Sequence, residues 1–350
     1  MRGLTFPGDR QVEMLDFPDP TPGFGEVVIE VKASGFCGSD LHSYRRPKGA
    51  PVSARPQYPV GPVICGHEPC GVIAAIGSGV PESIGRVGDR VMIYHYSGCN
   101  TCAHCRSGWQ QLCQETVVHS YGNNDHGAHA PYMKVPALTV LPLPDELSFS
   151  AGSAISCGTG TAYGALTRLN VSGRNTVAVF GQGPVGLAAT QLAKAMGAVV
   201  IALDISDDRL TRAKAFGADF VINPSKDDAP KAVKDLTHGY GADAALDTSA
   251  SQAGRSAAVR CLKVWGKAAF VGEGGEFKVE VSPDMIRKQV TIMGHWTFSS
   301  VLQAECARFI IDRKVDADAV FTHRWRLDQA VEAYKLFDTQ TTGKAVFDFA

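Results

Sequence analysis

No run in this chain of 350 residues is long and apolar enough to cross a bilayer, so no membrane-spanning role is expected. Neither charge is in excess: 34 Lys and Arg stand against 35 Asp and Glu, a formal net charge of -1. That balance gives no electrostatic ground for nucleic acid or an anionic membrane surface as partner, and small-molecule substrates are expected instead. No secretory leader is expected either, because Met1–Arg10 carries charge and a Pro-Gly turn where a leader would be apolar. The expected setting is a reducing cytoplasm, in which the ten cysteines point to metal binding or catalysis rather than disulfides.

What is present is globular, with 45% hydrophobic and 20% charged residues, and longer than one core supports. Short β-type runs at Val27–Lys32, Cys70–Ala75, Arg90–Tyr94 and Tyr132–Val135 predict an all-β, barrel-like domain with long functional loops. From Asn175 the pattern becomes strand alternating with helix. Thr176–Phe180, Val199–Leu203, Phe220–Ile222, Asp243–Leu246, Lys267–Val271 and Val290–Met293 read as strands, with helices near Arg209–Phe216, Lys231–Thr237 and Gln252–Leu262. Six such strands predict a doubly wound parallel sheet of Rossmann type, and the chain as a whole is α/β. The expected domains are 1–157, completed by 298–350, and 158–297.

The first of these strands runs straight into Gly181-Gln182-Gly183-Pro184-Val185-Gly186, and a helix follows. A G-x-G-x-x-G run between strand and helix is the context of a pyrophosphate cradle, with Pro184 and Val185 inside the turn. Asp204 ends the next strand about twenty residues on, where a carboxylate accepts from the ribose hydroxyls and repels a 2′-phosphate. NAD is therefore expected over NADP. Arg209, five residues further, stands within reach of a phosphate.

Cys99, Cys102, Cys105 and Cys113 form C-x2-C-x2-C-x7-C, a set of four thiols suited to a closed tetrahedral zinc site. A nucleic-acid zinc ribbon would bring a basic stripe, which is missing, and a redox pair would not need four cysteines. Cys37 and His67 alone are weak evidence for a second metal. Their surroundings are more specific: Cys37-Gly38-Ser39-Asp40-Leu41-His42, then Gly66-His67-Glu68 continuing through Gly71, Gly77 and Val80.

Together these motifs resemble the zinc-containing alcohol dehydrogenases of the medium-chain dehydrogenase/reductase family, and the resemblance spans nearly the whole chain. It implies a GroES-like β-barrel catalytic domain beside the Rossmann domain, and two zinc ions, one catalytic and one structural. Ser156-Cys157-Gly158, with Thr161, Tyr163, Ala165 and Leu166 at the family's offsets, resembles the third-ligand segment, so Cys37, His67 and Cys157 would hold the catalytic zinc. The implied reaction is hydride transfer between a primary or secondary alcohol and NAD, giving an aldehyde or ketone. By the same resemblance Ser39 and His42 relay a proton, Asp40 orients His67, and Glu68 is a transient zinc ligand or a structural carboxylate. Lys344 stands where similar proteins carry a cation near the cofactor pyrophosphate, and a homodimer or homotetramer is expected. Sorbitol and threonine dehydrogenases usually have Glu at position 157, so Cys157 favours the alcohol form. A polyol, sugar-alcohol or amino-alcohol dehydrogenase is the alternative, and a non-catalytic nucleotide-binding member the alternative of a different class.

Of the remaining residues, His95, His104, His119, His126 and His129 read as surface or hydrogen-bonding groups, with His126 the one nearest a substrate role. Cys65, Cys70, Cys261 and Cys306 read as packing residues. Tyr44, Trp296 and Phe298 are either pocket or core.

Overall fold

The computed structural model describes residues 1–51, 56–59 and 61–349. The chain divides into two compact units, Met1–Cys157 with Ser299–Ala350, and Gly158–Phe298.

In the first unit the strand Glu26–Gly35 is the hub. It pairs antiparallel with Glu68–Ile76, with Tyr132–Pro136 and with the returning strand Lys344–Asp348. The seven-stranded sheet extends through Arg90–Ile93 to Val140–Pro142 on one side and to Phe321–Trp325 on the other. Alternate residues of these strands, Val27, Ile29 and Val31 with Ile73, Val91, Ile93, Met133 and Val135, fill one core, as the two-residue period of a strand requires. A second core of Phe6, Phe36, Tyr44, Tyr334, Phe337 and Phe347 packs the helix Ala330–Asp338 behind the Cys37 loop. Tyr44, read as pocket or core, is 2% exposed and belongs to this core.

The second unit carries a six-stranded sheet, parallel throughout, in the order Phe220–Ile222, Val199–Leu203, Thr176–Phe180, Ala242–Asp247, Leu262–Phe270, Thr291–Gly294. In chain order that is 3-2-1-4-5-6, the doubly wound arrangement, so the fold is GroES-like plus Rossmann as the motifs imply. The strand Leu262–Phe270 begins earlier than its apolar run, and the helix before it stops at Arg260. A π-helical turn at Val281–Ile286 carries no periodic signal in the sequence. No helix among the described residues is long and apolar enough to cross a membrane.

Candidate metal centres and nucleotide site

The thiols of Cys99, Cys102, Cys105 and Cys113 lie within 4.8 Å of one another around the short helix Ala103–Arg106. Cys99 Sγ is 3.9 Å from Cys105 Sγ, and Cys102 Sγ is 4.0 Å from Cys113 Sγ. Sulfurs on a tetrahedral zinc, each at its usual bond length, stand about 3.8 Å apart, so the spacing fits that ion. Backbone donors already point at the sulfurs: Cys99 Sγ accepts from the N–H groups of Thr101 at 3.4 Å and Cys102 at 3.3 Å. At Cys113 burial pushes the thiol up, but N–H donors from Cys99, Glu115 and Thr116 outweigh it and bring it down to about 5. Backbone donors thus favour the thiolate at Cys99 and Cys113, while burial pushes the Cys105 thiol up to about 12.

The second cluster joins Cys37, His67, Glu68 and Cys157, again with ligand atoms within 4.8 Å. Three separate elements deliver them. Cys37 follows the hub strand, His67 and Glu68 open the neighbouring one, and Cys157 stands just after the helix Phe149–Ile155. Cys37 Sγ and Cys157 Sγ are 3.9 Å apart, the same tetrahedral spacing. Gly66 has φ +89°, and a Cβ there would run into the His129 ring, so the turn that presents His67 needs glycine.

Asp40 fixes the arrangement from behind. One carboxylate oxygen accepts from the Cys37 N–H at 2.8 Å, and the other lies 2.9 Å from His67 Nδ1. Imidazole Nδ1 is thereby occupied and Nε2 faces the cluster, the usual device for a metal-bound histidine. Ser39 Oγ is 3.3 Å from that Nε2, and His42 is exposed on the helix Asp40–Arg45 that follows. The hydrogen bond from Cys157 holds the Cys37 thiol well below its ordinary value against the effect of burial, with His67 adding to it. Burial pulls His67 down, but the charges of Asp40 and Cys37 overcome it and raise the imidazole well above 6.5. A thiolate and an imidazolium without metal become two ligands when a cation replaces the proton.

Lys344 is buried beside Glu68. Its side chain is 2% exposed and its ammonium is engaged inside this unit. It donates to Glu68 Oε1 at 2.6 Å and to the Phe36 carbonyl at 2.8 Å, and lies 2.5 Å from Glu68 Oε2. A buried carboxylate needs such a counter-charge, and Lys344 supplies it. Burial still raises Glu68 to about 8, because Lys344 offsets only part of the desolvation.

Three of the histidines read as surface or hydrogen-bonding groups make buried or half-buried hydrogen bonds. His95, one of five read as surface or hydrogen-bonding groups, is 1% exposed, donates from Nδ1 to the Ser156 carbonyl at 2.8 Å, and has its ring 5.3 Å from that of His67. Its only sequence signal is position, four residues before Cys99. His126 accepts from the Ile64 N–H at 3.1 Å and packs edge-on against Phe17. His129 is fully buried, bridging Ser34 Oγ at 2.8 Å and Tyr334 Oη at 2.7 Å. Cys65, Cys70, Cys261 and Cys306 are buried, as packing residues would be.

In the second unit the glycine turn joins the strand Thr176–Phe180 to the helix Pro184–Ala195. Gly181 has φ +87°, and a Cβ on Gly186 would strike the Gly181 carbonyl, while one on Gly183 would meet nothing within 4 Å. The first glycine makes the turn, the third lets the helix approach, and the second leaves open backbone at a helix N-terminus led by Pro184. Val185 lies in the first turn of that helix. Asp204 is buried, its carboxylate accepting from the N–H groups of Gln182 at 2.6 Å and Ser206 at 2.9 Å, with Arg209 Nη1 3.6 Å away.

Known proteins decide the family. The zinc-binding dehydrogenase family matches residues 184–312, and the alcohol dehydrogenase GroES-like domain matches residues 23–145. The chain is 40% identical over 352 residues to the uncharacterized zinc-type alcohol dehydrogenase-like protein YphC of Escherichia coli K12, covering 100% of this chain and 99% of that one. This chain belongs to the zinc-type alcohol dehydrogenases of the medium-chain dehydrogenase/reductase family. Within that oxidoreductase family it is also 33% identical to the L-threonine 3-dehydrogenase of Pyrococcus horikoshii, over 96% of this chain and 94% of that one. A structure of a short chain alcohol dehydrogenase from Escherichia coli CFT073, solved with NADH, superposes with a TM-score of 0.86 at 25% identity, covering 100% and 99% of the two chains.

Proposed function

We propose that this protein is an NAD-dependent zinc dehydrogenase that oxidises an alcohol to an aldehyde or ketone, or runs the reverse reduction. The observation that carries the reading is the cluster of Cys37, His67 and Cys157 backed by Asp40. These three side chains would hold the catalytic zinc, and Cys99, Cys102, Cys105 and Cys113 the structural one. When bound, zinc supplies a Lewis acid for the substrate oxygen and NAD supplies the hydride acceptor.

The protein's own groups do the rest. Asp40 keeps the Nε2 of His67 directed at the cluster, and two soft thiolates with a neutral imidazole leave the site uncharged overall once a divalent cation is bound. Ser39 Oγ, already beside His67 Nε2, takes the proton that the alcohol loses. As it does so, Ser39 gives its own hydroxyl proton to His42, exposed in the first turn of the helix Asp40–Arg45, which releases it to water. Glu68, held by Lys344, lies close enough to the cluster to serve during ligand exchange. Residues Gly181 to Gly186 cradle the pyrophosphate at the helix N-terminus. Asp204 uses two of its roughly four lone-pair directions on its own loop, which leaves others for the adenosine ribose and keeps a 2′-phosphate away. Arg209 partners Asp204 at the same edge.

All ten cysteines are free thiols and six of them stand in the two clusters, which supports a reducing, cytoplasmic setting. Among the described residues the strand Thr291–Gly294 pairs on one side only, and the exposed Val264, Trp265, Val281 and Ile286 belong to segments near it. That edge supports a homodimer or homotetramer.

The 33% identity to an L-threonine 3-dehydrogenase favours a second reading, in which the substrate is an amino alcohol or polyol handled by the same site. NADH formation by the zinc-loaded protein across simple, aromatic, amino and polyhydric alcohols separates the two. Highest kcat/KM on simple or aromatic alcohols is expected. Preference for polyols or amino alcohols would establish the second reading, and no turnover by protein that binds zinc and NAD would refute both.

A further inference from the structure

Beneath the glycine turn lies a buried ion pair that none of the expected site residues includes. Asp247 ends the strand Ala242–Asp247, and Arg255 lies on the helix Gln252–Arg260. Their side chains are 0% and 7% exposed, with Arg255 Nε 3.2 Å from Asp247 Oδ2. Arg255 Nη2 also donates to the Gly272 carbonyl, beyond the next strand, Leu262–Phe270. One guanidinium thus ties together the loops at the C-terminal ends of two adjacent parallel strands.

The carboxylate shapes the first of these loops. Asp247 Oδ1 accepts from the Ser249 hydroxyl at 2.6 Å and its N–H at 3.2 Å, while Oδ2 accepts from the Ala250 N–H at 3.3 Å. Ala250 has φ +58°, a left-handed conformation that a residue with a side chain keeps only where its surroundings over-determine it. A Cβ on Gly272 would come within 2.6 Å of the Ala250 nitrogen, so the two loops are in close register. On the other side Thr248 Oγ1 donates to the carbonyls of Phe180 at 3.1 Å and Gly181 at 3.0 Å, which connects the pair to the pyrophosphate turn.

A dinucleotide lies along the C-terminal ends of such a sheet, across the point where the strand order reverses. Asp204, on the second strand, marks the adenosine side. The loops after the fourth and fifth strands therefore belong to the other half. We propose that Arg255 and Asp247 are positioning residues that set the wall of the nicotinamide–ribose half of the cofactor site. The proposal rests on the dinucleotide reading above. Apolar side chains of similar volume would fill the same space without loss of stability. They would not hold Ala250 and Gly272 in register.

Titration of the full-length protein with NADH by fluorescence, and with AMP by calorimetry, tests the assignment in wild type, Arg255→Met and Arg255→Lys. Arg255→Met should weaken NADH about tenfold, the scale of one lost charge-assisted contact, and leave AMP within about twofold. Arg255→Lys, which keeps the charge and loses the fork, should fall between, and it carries the same test if the Met variant does not fold. Unchanged NADH affinity would overturn the proposal. So would parallel losses of NADH and AMP, because the pair would then merely support the whole domain. Wild-type protein that binds neither ligand would overturn the dinucleotide reading and this inference with it.

Discussion

The two candidate metal centres use similar donors in opposite ways. Cys99, Cys102, Cys105 and Cys113 come from one short lobe, offer four sulfurs, and are supported mainly by backbone N–H groups of the lobe itself. Cys37, His67, Glu68 and Cys157 come from three separated elements and depend on side chains behind them, Asp40, Lys344 and the buried His129. A full set of four thiolates leaves no position for substrate, whereas two thiolates and one imidazole leave one. The local centre can form wherever its loop folds. The assembled one exists only when the sheet has brought three elements into register.

Substitution of one ligand in each centre should break the comparison open. Cys37→Ser should lower kcat/KM by more than about a thousandfold with little change in melting temperature, because it removes an open-site ligand whose chemistry the other residues cannot replace. Cys105→Ser should do the reverse, lowering the melting temperature by about 10 °C or more while the surviving folded enzyme keeps kcat within about threefold. Equal effects of the two on activity and melting would show that the centres are not functionally distinct.

That contrast also explains what could be read from sequence. The four-cysteine lobe and the glycine turn are contiguous, so spacing alone exposes them, and the strand pattern around the turn supplies the six-stranded sheet. Cys37, His67 and Cys157 needed the family resemblance, since nothing local relates position 37 to position 157. The Lys344–Glu68 pair is invisible in the sequence because the two stand 276 positions apart and only the pairing of the returning strand with the hub strand brings them together. His95 is a hydrogen-bonding group as its reading expects, and only its burial beside His67 is a property of the fold that the sequence does not carry. Arg255 gives no motif at all, and its importance appears only when two loops are seen to share its guanidinium.

A smaller effect sharpens the dependence of the open centre on its support. Asp40→Asn keeps the shape but replaces the carboxylate that accepts from both the Cys37 N–H and His67 Nδ1. It should weaken metal binding at this centre by about 10–100-fold, measured by chelator competition, and leave the four-cysteine lobe unaffected.

Acid should also distinguish the two regions. Burial, reinforced by His67 and opposed by Asp40, holds His129 at about 4 against its ordinary 6.5. The folded chain therefore binds fewer protons than the unfolded chain between these values. The stability tied to neutral His129 is fully present above pH 6.5 and is lost as the pH falls through 4, about 3 kcal/mol in all. Urea unfolding of the metal-free protein from pH 7 to pH 4 should show this loss, and His129→Gln should reduce it, the remainder staying with His95 and His295, which burial holds at about 3 and about 4. An unchanged slope in the variant would mean that His129 does not carry the acid sensitivity of the turn that presents His67.

The central claim, two independent zinc centres of different construction, is tested most directly by zinc content per chain in the wild type, Cys37→Ser and Cys105→Ser after exhaustive dialysis. The account predicts about two zinc ions in the wild type and about one in each variant, with the remaining ion in Cys37→Ser held by the four-cysteine lobe. A wild-type content near one, or loss of both ions from Cys37→Ser, would contradict it.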